Sequence, residues 1–428
     1  MIRRLAAAVV ICLTLAACSS AAPDAPSPSR TSTPTSDPSV EVRTGATTAR
    51  QAMRRLCEEV DATSPKVVRR PTPPAIAEVE DQVESVRGLR FERPVNVEPV
   101  TPAEIDRRIS EYLDVYYPHR FYARRTDAWR AIGALPPGVG YLEALGRFQQ
   151  GEVLGFYNSQ NGELVYTGDE QLTRIEQFIL AHELTHAIDD QHFDLDRLDR
   201  LASSCDDERF LAALGAVEGS AQYFSTQVIL RFPVEEIGEI PDPGTRGIPP
   251  MIVDLQLYPY TAGQTFVQAV ADDGGVDAVN EVLRRFPATT EEVLHPGQPE
   301  GDVDVEVDVP DFAPTFGGGW RDLDVMVAGE LWLRTLLATR LPDDTASNAA
   351  NGWDGGIYRA WTDGEDTVVI LATVWDSPIE AGAFRGAIGD WLGDRATAAI
   401  EGSGKTVNVG FVTSARLLPA LEAALRSM

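Results

Sequence analysis

The sequence predicts an α+β protein: a unit made of a small sheet edge and two long helices, followed by a C-terminal α/β lobe. Three observations carry that prediction. The stretch "GEVLGFYNSQNGELVYTG" (151–168) reads as strand, turn and strand, with Asn161-Gly162 in the turn, and it leads into a run of helical period containing "AHELTHA". A second long helical run, "ERFLAALGAVEGSAQYFSTQVILRF" (208–232), follows shortly after. From residue 313 to the end, helical and strand patterns alternate.

The elements follow in chain order. Arg3 and Arg4 precede an apolar run, Leu5 to Ala17, that is too short to span a bilayer, so residues 1–17 read as a signal peptide. Its end, Leu15-Ala16-Ala17-Cys18, resembles the lipobox of bacterial lipoproteins. That resemblance implies lipid on Cys18 and a chain anchored to the membrane outside the cytoplasm, the alternative being ordinary signal cleavage near Ala17. Residues 18–48 are rich in Ser, Thr and Pro and read as an extended linker. With Cys12 removed and Cys18 committed to lipid, Cys57 and Cys205 remain as an even pair in an oxidising compartment. A disulfide is expected, against the alternative of two inert buried thiols.

Residues 49–150 read as mainly helical with short extended pieces. Thr101 is the expected N-cap of a helix with Pro102 at its first position and Glu104 completing a capping box. A core unit is expected over 151–312, with the histidine helix from about Gln171 to Asp190 and a later helix over Gly274–Arg285. The acid–valine alternation from Asp302 to Val309 reads as a strand with one solvated face, in preference to a calcium-binding acidic run. In the lobe over 313–428, a helix is expected near 325–338, then strands at 357–361 and 368–375, a helix at 379–392, a strand at 407–412 and a final helix. "GSGK" at 402–405 lacks the spacing of a phosphate loop and reads as a turn.

Length and charge bound the function. A chain of 428 residues exceeds what one compact core usually organises, and a net charge of −28 argues against nucleic acid as a partner. The chemistry concentrates in "AHELTHAIDDQHF". His182 and His186 stand four apart on one helix face, and Glu183 lies about 100° round from His182, beside that face. This spacing supplies two metal-binding imidazoles and a general base together. The third ligand has two candidates. His192 is six residues beyond His186, a spacing that resembles the metzincins, but where those carry a glycine to turn the chain this sequence has Asp189. Glu218, in "AVEGSA" on the next helix, can approach from a separate element and is the expected ligand.

"AHELTHAIDDQHFDLD" followed by "AVEGSA" resembles the gluzincin group of zinc metallopeptidases, over roughly residues 150–225. The resemblance implies a zincin-like fold, zinc on His182, His186 and Glu218, Glu183 as base, and a peptide or protein substrate. Thermolysin-like members carry an aspartate four residues beyond the ligand glutamate; here Gln222 stands there, so the ligand histidines need another support. A zincin-like cleft binds substrate as an added strand, an edge that Val153–Tyr157 could supply, the alternative being a hairpin that merely covers the core. The developing oxyanion needs a further donor, for which His295 is taken as a catalytic candidate beside Tyr157, Tyr166 and Tyr223. The other readings are a binding or assembly lipoprotein that holds zinc without hydrolysis, and an amidase acting on cell-wall peptides.

Overall fold

The histidine helix is the axis on which the first half of the fold is arranged. In the computed structural model, which describes residues 40–57, 72–149, 154–168, 172–202, 204–233, 245–297 and 305–428, it spans Arg174–Phe193. The signal peptide, Cys18, most of the linker and Val153 lie outside the described residues. Thr173 starts the helix with a complete capping box: its side chain accepts the Glu176 N–H, and the Glu176 carboxylate accepts the Thr173 N–H at 2.6 Å. The helix passes Asp189 unbroken and ends only at Asp194, which takes a left-handed φ of 56°.

A three-stranded sheet packs on this helix. Its strands β1 (Asn96–Pro99), β2 (Gly155–Asn158) and β3 (Glu163–Tyr166) run in the order β1-β3-β2, with β1 parallel and β2 antiparallel to β3. The predicted hairpin is therefore present, with Gly162 at φ 70° in its turn. Val97, Leu164 and Tyr166 meet Leu180, Leu184 and Ile188 of the helix in one apolar cluster. The glutamate helix, Asp207–Ile229, packs against the histidine helix on another side.

Thr101 caps helix Pro102–Tyr116 as expected, accepting the Glu104 N–H. The reciprocal half of the capping box is missing, because the Glu104 carboxylate turns to Arg107 and Arg108 instead. Charged guanidinium donors compete successfully with a neutral backbone N–H for that carboxylate.

The C-terminal sheet is fully antiparallel in the order β4-β5-β6-β8-β7, with β4 over Arg321–Val327, β5 over Trp353–Thr362, β6 over Thr367–Trp375, β7 over Ala398–Glu401 and β8 over Thr406–Val412. Alternate residues of β6 face opposite clusters: Val369 and Leu371 pack with Trp332 and Trp391, while Val368 and Ile370 pack with Ala49, Phe312 and Leu421. Two expectations need correction here. The helix read from 325 begins only at Glu330, since Val325, Met326 and Val327 finish β4 and Gly329 is the N-cap. The acid–valine run forms no strand over its described part, 305–309. Its alternation serves another partner: Val309 is buried, Asp308 accepts the Ala49 N–H at 2.7 Å and Glu306 pairs with Arg50.

One apolar core joins Trp129 and Ile132, Ala212 and Ala216 of the glutamate helix, and Leu336, Trp391 and Val409 of the C-terminal region. Residues 40–48, at the end of the predicted linker, lie against the C-terminal sheet, with the Thr47 carbonyl accepting from Arg359 at 2.8 Å. The expected Cys57–Cys205 disulfide is formed and pins this N-terminal segment beside the start of the glutamate helix. No helix among the described residues is long and apolar enough to cross a membrane.

Candidate metal centre

Two turns of helix and one side chain from a neighbour make the centre. Among the described residues, His182, His186 and Glu218 form the one cluster of three metal-ligating side chains whose donor atoms all lie within 4.8 Å of one another. The Nε2 atoms of His182 and His186 are 3.1 Å apart, and Glu218 Oε2 lies 3.2 Å from the first and 3.3 Å from the second. Tetrahedral zinc with bonds of about 2.0–2.1 Å sets its ligand atoms about 3.3 Å apart, so the three separations fit that ion. Two imidazole nitrogens at this distance repel unless a proton or a cation lies between them. The donor set therefore matches a cation better than it matches an apolar helix contact.

Electrostatics point the same way. Burial opposes charge on Glu218, but His186 and His182 outweigh it and hold the carboxyl well below the usual range. Burial likewise opposes charge on His186, yet the Glu218 carboxylate prevails and pushes its pKa up to about 9. The anionic carboxylate that stabilises a proton on His186 would equally stabilise a metal cation that took the proton's place. Glu183 behaves differently. Burial raises its pKa in spite of the two histidines.

Glu183 is aimed by β2, whose Tyr157 N–H donates to Glu183 Oε2 at 2.9 Å. The strand comes this close because residue 155 is glycine: a β-carbon there would meet Glu183 Cγ and Ile179 Cγ2 at 2.9 Å. Asp189, where the alternative site would need glycine, has a structural task. It is buried, pairs with Arg87 Nε at 2.6 Å and accepts the Ser220 hydroxyl at 2.7 Å, while Arg87 also donates to Asn280 at 2.6 Å. This network ties both ligand-bearing helices to helices Pro74–Arg87 and Gln264–Arg284.

The other sequence candidates go elsewhere. His192 Nε2 donates to the Arg90 carbonyl at 2.8 Å and does not join the ligands. His295 is not brought into the cluster either; its Nε2 faces the Glu330 carboxylate at 2.9 Å. The Tyr157 hydroxyl donates to Asp190 at 2.8 Å, Tyr166 is buried in the small-sheet core, and Tyr223 packs edge-on against Phe224. An open cleft of about 720 Å³ beyond the C-terminal end of the histidine helix is lined by Arg93, Gln160, His192 and Arg284, and by none of the ligands.

One residue at the centre was missed in the sequence. Tyr260 lies on a π-helical turn, Pro259–Gly263, with its ring centroid 5.9 Å from that of His182 and a hydrogen bond to Glu218. The turn reaches the glutamate helix through glycines: a β-carbon on Gly219 would sit 2.3 Å from the Gly263 carbonyl oxygen, and one on Gly263 equally near that of Gly215. The available signal was Pro259 inside the run "MIVDLQLYPYTAGQTF", since proline breaks a regular helical ladder and such irregularities gather at functional sites.

Residues 321–416, which hold the C-terminal sheet, match a domain of unknown function, DUF8575. No curated protein matches the chain. The structure shows a slight likeness to the crystal structure of a protein from Chloroflexus aurantiacus described as a proposed hydrolase with a novel fold. That likeness has 19% identity and covers 58% of this chain and 95% of the other, and its TM-score of 0.32 is too low to bear on fold or chemistry.

Proposed function

We propose that this chain is a zinc metallopeptidase of the gluzincin kind, anchored outside the cytoplasm through lipid on Cys18, that hydrolyses peptide bonds in peptide or protein substrates. One observation carries the reading: two imidazoles four residues apart and a carboxylate from a second helix converge at tetrahedral spacing, with a half-buried Glu183 on the same helix held toward them by the Tyr157 N–H. Zinc in such a site supplies a Lewis acid that polarises a carbonyl and eases deprotonation of water. His182 and His186 would hold the ion through Nε2 atoms that lose any proton when it binds, and Glu218 would offset one of its two positive charges. Glu183, steadied by the Tyr157 N–H, takes the water proton and passes it to the leaving amine. Strand β2 lies at the edge of its sheet next to Glu183, where an extended substrate can add as a further strand.

The test is digestion of a peptide library by the purified, zinc-loaded protein, with products read by mass spectrometry. Wild type cleaves, whereas Glu183→Gln binds equal zinc and loses about 10²- to 10⁴-fold in kcat. Absence of cleavage by wild type, or equal cleavage by the two proteins, defeats the reading.

A further inference from the structure

Peptide hydrolysis by this site needs a hydrogen-bond donor for the carbonyl oxygen as it gains charge; of the residues singled out for that task in the sequence, Tyr157 and His295 are hydrogen-bonded to other carboxylates, Tyr166 is buried in the small-sheet core and Tyr223 packs against Phe224. We propose that Tyr260 is that donor, a catalytic residue whose phenolic O–H binds the substrate oxygen as the carbonyl carbon becomes tetrahedral. This rests on the peptidase reading above. Three independent features support it. The ring stands 5.9 Å from the His182 ring, with the two planes 30° apart, and the hydroxyl reaches Glu218, so the donor is already at the ligands. The residue is 38% exposed, which leaves it accessible to a substrate. The placement is built into the backbone, because the π-helical turn touches the glutamate helix through Gly215, Gly219 and Gly263, where no β-carbon fits.

The chemistry suits a phenol. Tyrosine is neutral at physiological pH and carries one donor that turns about its Cζ–O bond. It gives a hydrogen bond in this step and keeps its proton; the proton of the attacking water passes through Glu183 alone. A donor fixed in advance near the developing charge requires little rearrangement when the charge appears, which is how such groups lower a barrier. Glu183 is steadied by β2 and Tyr260 by the π-helical turn, so base and donor belong to separate elements next to the same ligands.

The test is Tyr260→Phe in the full chain, which keeps the ring and removes only the hydroxyl. The probes are zinc, a peptide cleaved by wild type, and a phosphinic analogue of that peptide bearing a tetrahedral anionic centre. Expected are a fall in kcat of about 10²-fold, KM within about twofold, and a matching loss of affinity for the phosphinic analogue. Zinc stoichiometry and affinity, read by chelator competition, should equal wild type. A kcat within about threefold of wild type, or a rise in KM alone, overturns the assignment while leaving the peptidase reading intact. Loss of zinc from the variant also overturns it, because Tyr260 would then support the ligands. A wild type that cleaves no peptide overturns both.

Discussion

Strands β5 and β6 run for ten and nine residues with nearly every side chain buried, whereas β1, β2 and β3 have four residues each, and β2 is only partly buried. The long sheet lies between two apolar clusters containing Trp332, Trp361 and Trp391. The short sheet lies beside charge: the buried Arg87–Asp189 pair, and the half-buried Glu183 next to the candidate ligand cluster. The C-terminal sheet holds most of its stability in apolar area, and the charges it buries, Asp324 on β4 and Arg359 on β5, are paired with Arg125 and Asp322. The ligand region holds ionisable groups in fixed positions, at a desolvation cost that only the surrounding packing can offset.

The largest expected effect separates the two candidates for third ligand. Glu218→Ala leaves two imidazoles, so bound zinc should be lost on mild chelation and activity should collapse. His192→Ala removes one hydrogen bond to the Arg90 carbonyl from a residue outside the cluster, at a cost of about 1 kcal/mol and with zinc retained. Bound zinc and turnover should be measured on both variants side by side. A His192 variant that loses metal while the Glu218 variant keeps it would sink the ligand set.

Next come two substitutions of similar cost to stability and different consequence. Asp189→Ala leaves Arg87 as an uncompensated buried cation and should destabilise the protein by about 3–5 kcal/mol. Trp361→Ala empties a buried site in the C-terminal sheet at a comparable cost of about 3–5 kcal/mol. Below both unfolding transitions, only the Asp189 variant should bind zinc more weakly, by about tenfold, because Asp189 joins the two ligand-bearing helices. Chelator competition on the folded proteins checks this. Equal zinc affinities would show that ligand spacing does not depend on the buried ion pair.

The same contrast explains what could be read in advance. Patterns that act locally were legible: the hairpin at Gly162, the two ligand-bearing helices, His182 and His186 four apart, and the cysteine pair. Glu218 was legible because it is an acid on the one long helix that follows closely. What depends on distant partners was not. Asp189 looked like a departure from a motif until Arg87, 102 residues away, supplied its reason. Val325 and Met326 looked helical because the run from β4 into the next helix is apolar almost throughout, and only pairing with β5 decides its conformation. Tyr260 belongs to no spacing rule. It reaches the site through a π-helical turn and a glycine contact that one-dimensional periodicity does not encode.

The smallest expected effect concerns His295, which sequence reasoning placed among the catalytic candidates. In the structure it ends helix Thr290–Leu294 and faces Glu330, a residue almost wholly buried, at 2.9 Å. The hydrogen bond to Glu330, opposed by partial burial, raises its pKa above the ordinary histidine value of about 6.5. A base whose pKa is raised on folding contributes stability that is fully present below the unfolded value and is lost as pH rises through the folded value. His295→Gln should therefore cost most at pH 5.5, within about 1 kcal/mol because the imidazole is partly solvated, and the difference from wild type should shrink by pH 9. Urea unfolding of both proteins at the two pH values measures it, and a difference that grows toward pH 9 would contradict the ion pair. Peptidase kcat should stay within about twofold, since the residue donates to Glu330 and to nothing at the metal ligands. A fall of about 10²-fold with zinc retained would instead make His295 the oxyanion donor and remove that role from Tyr260.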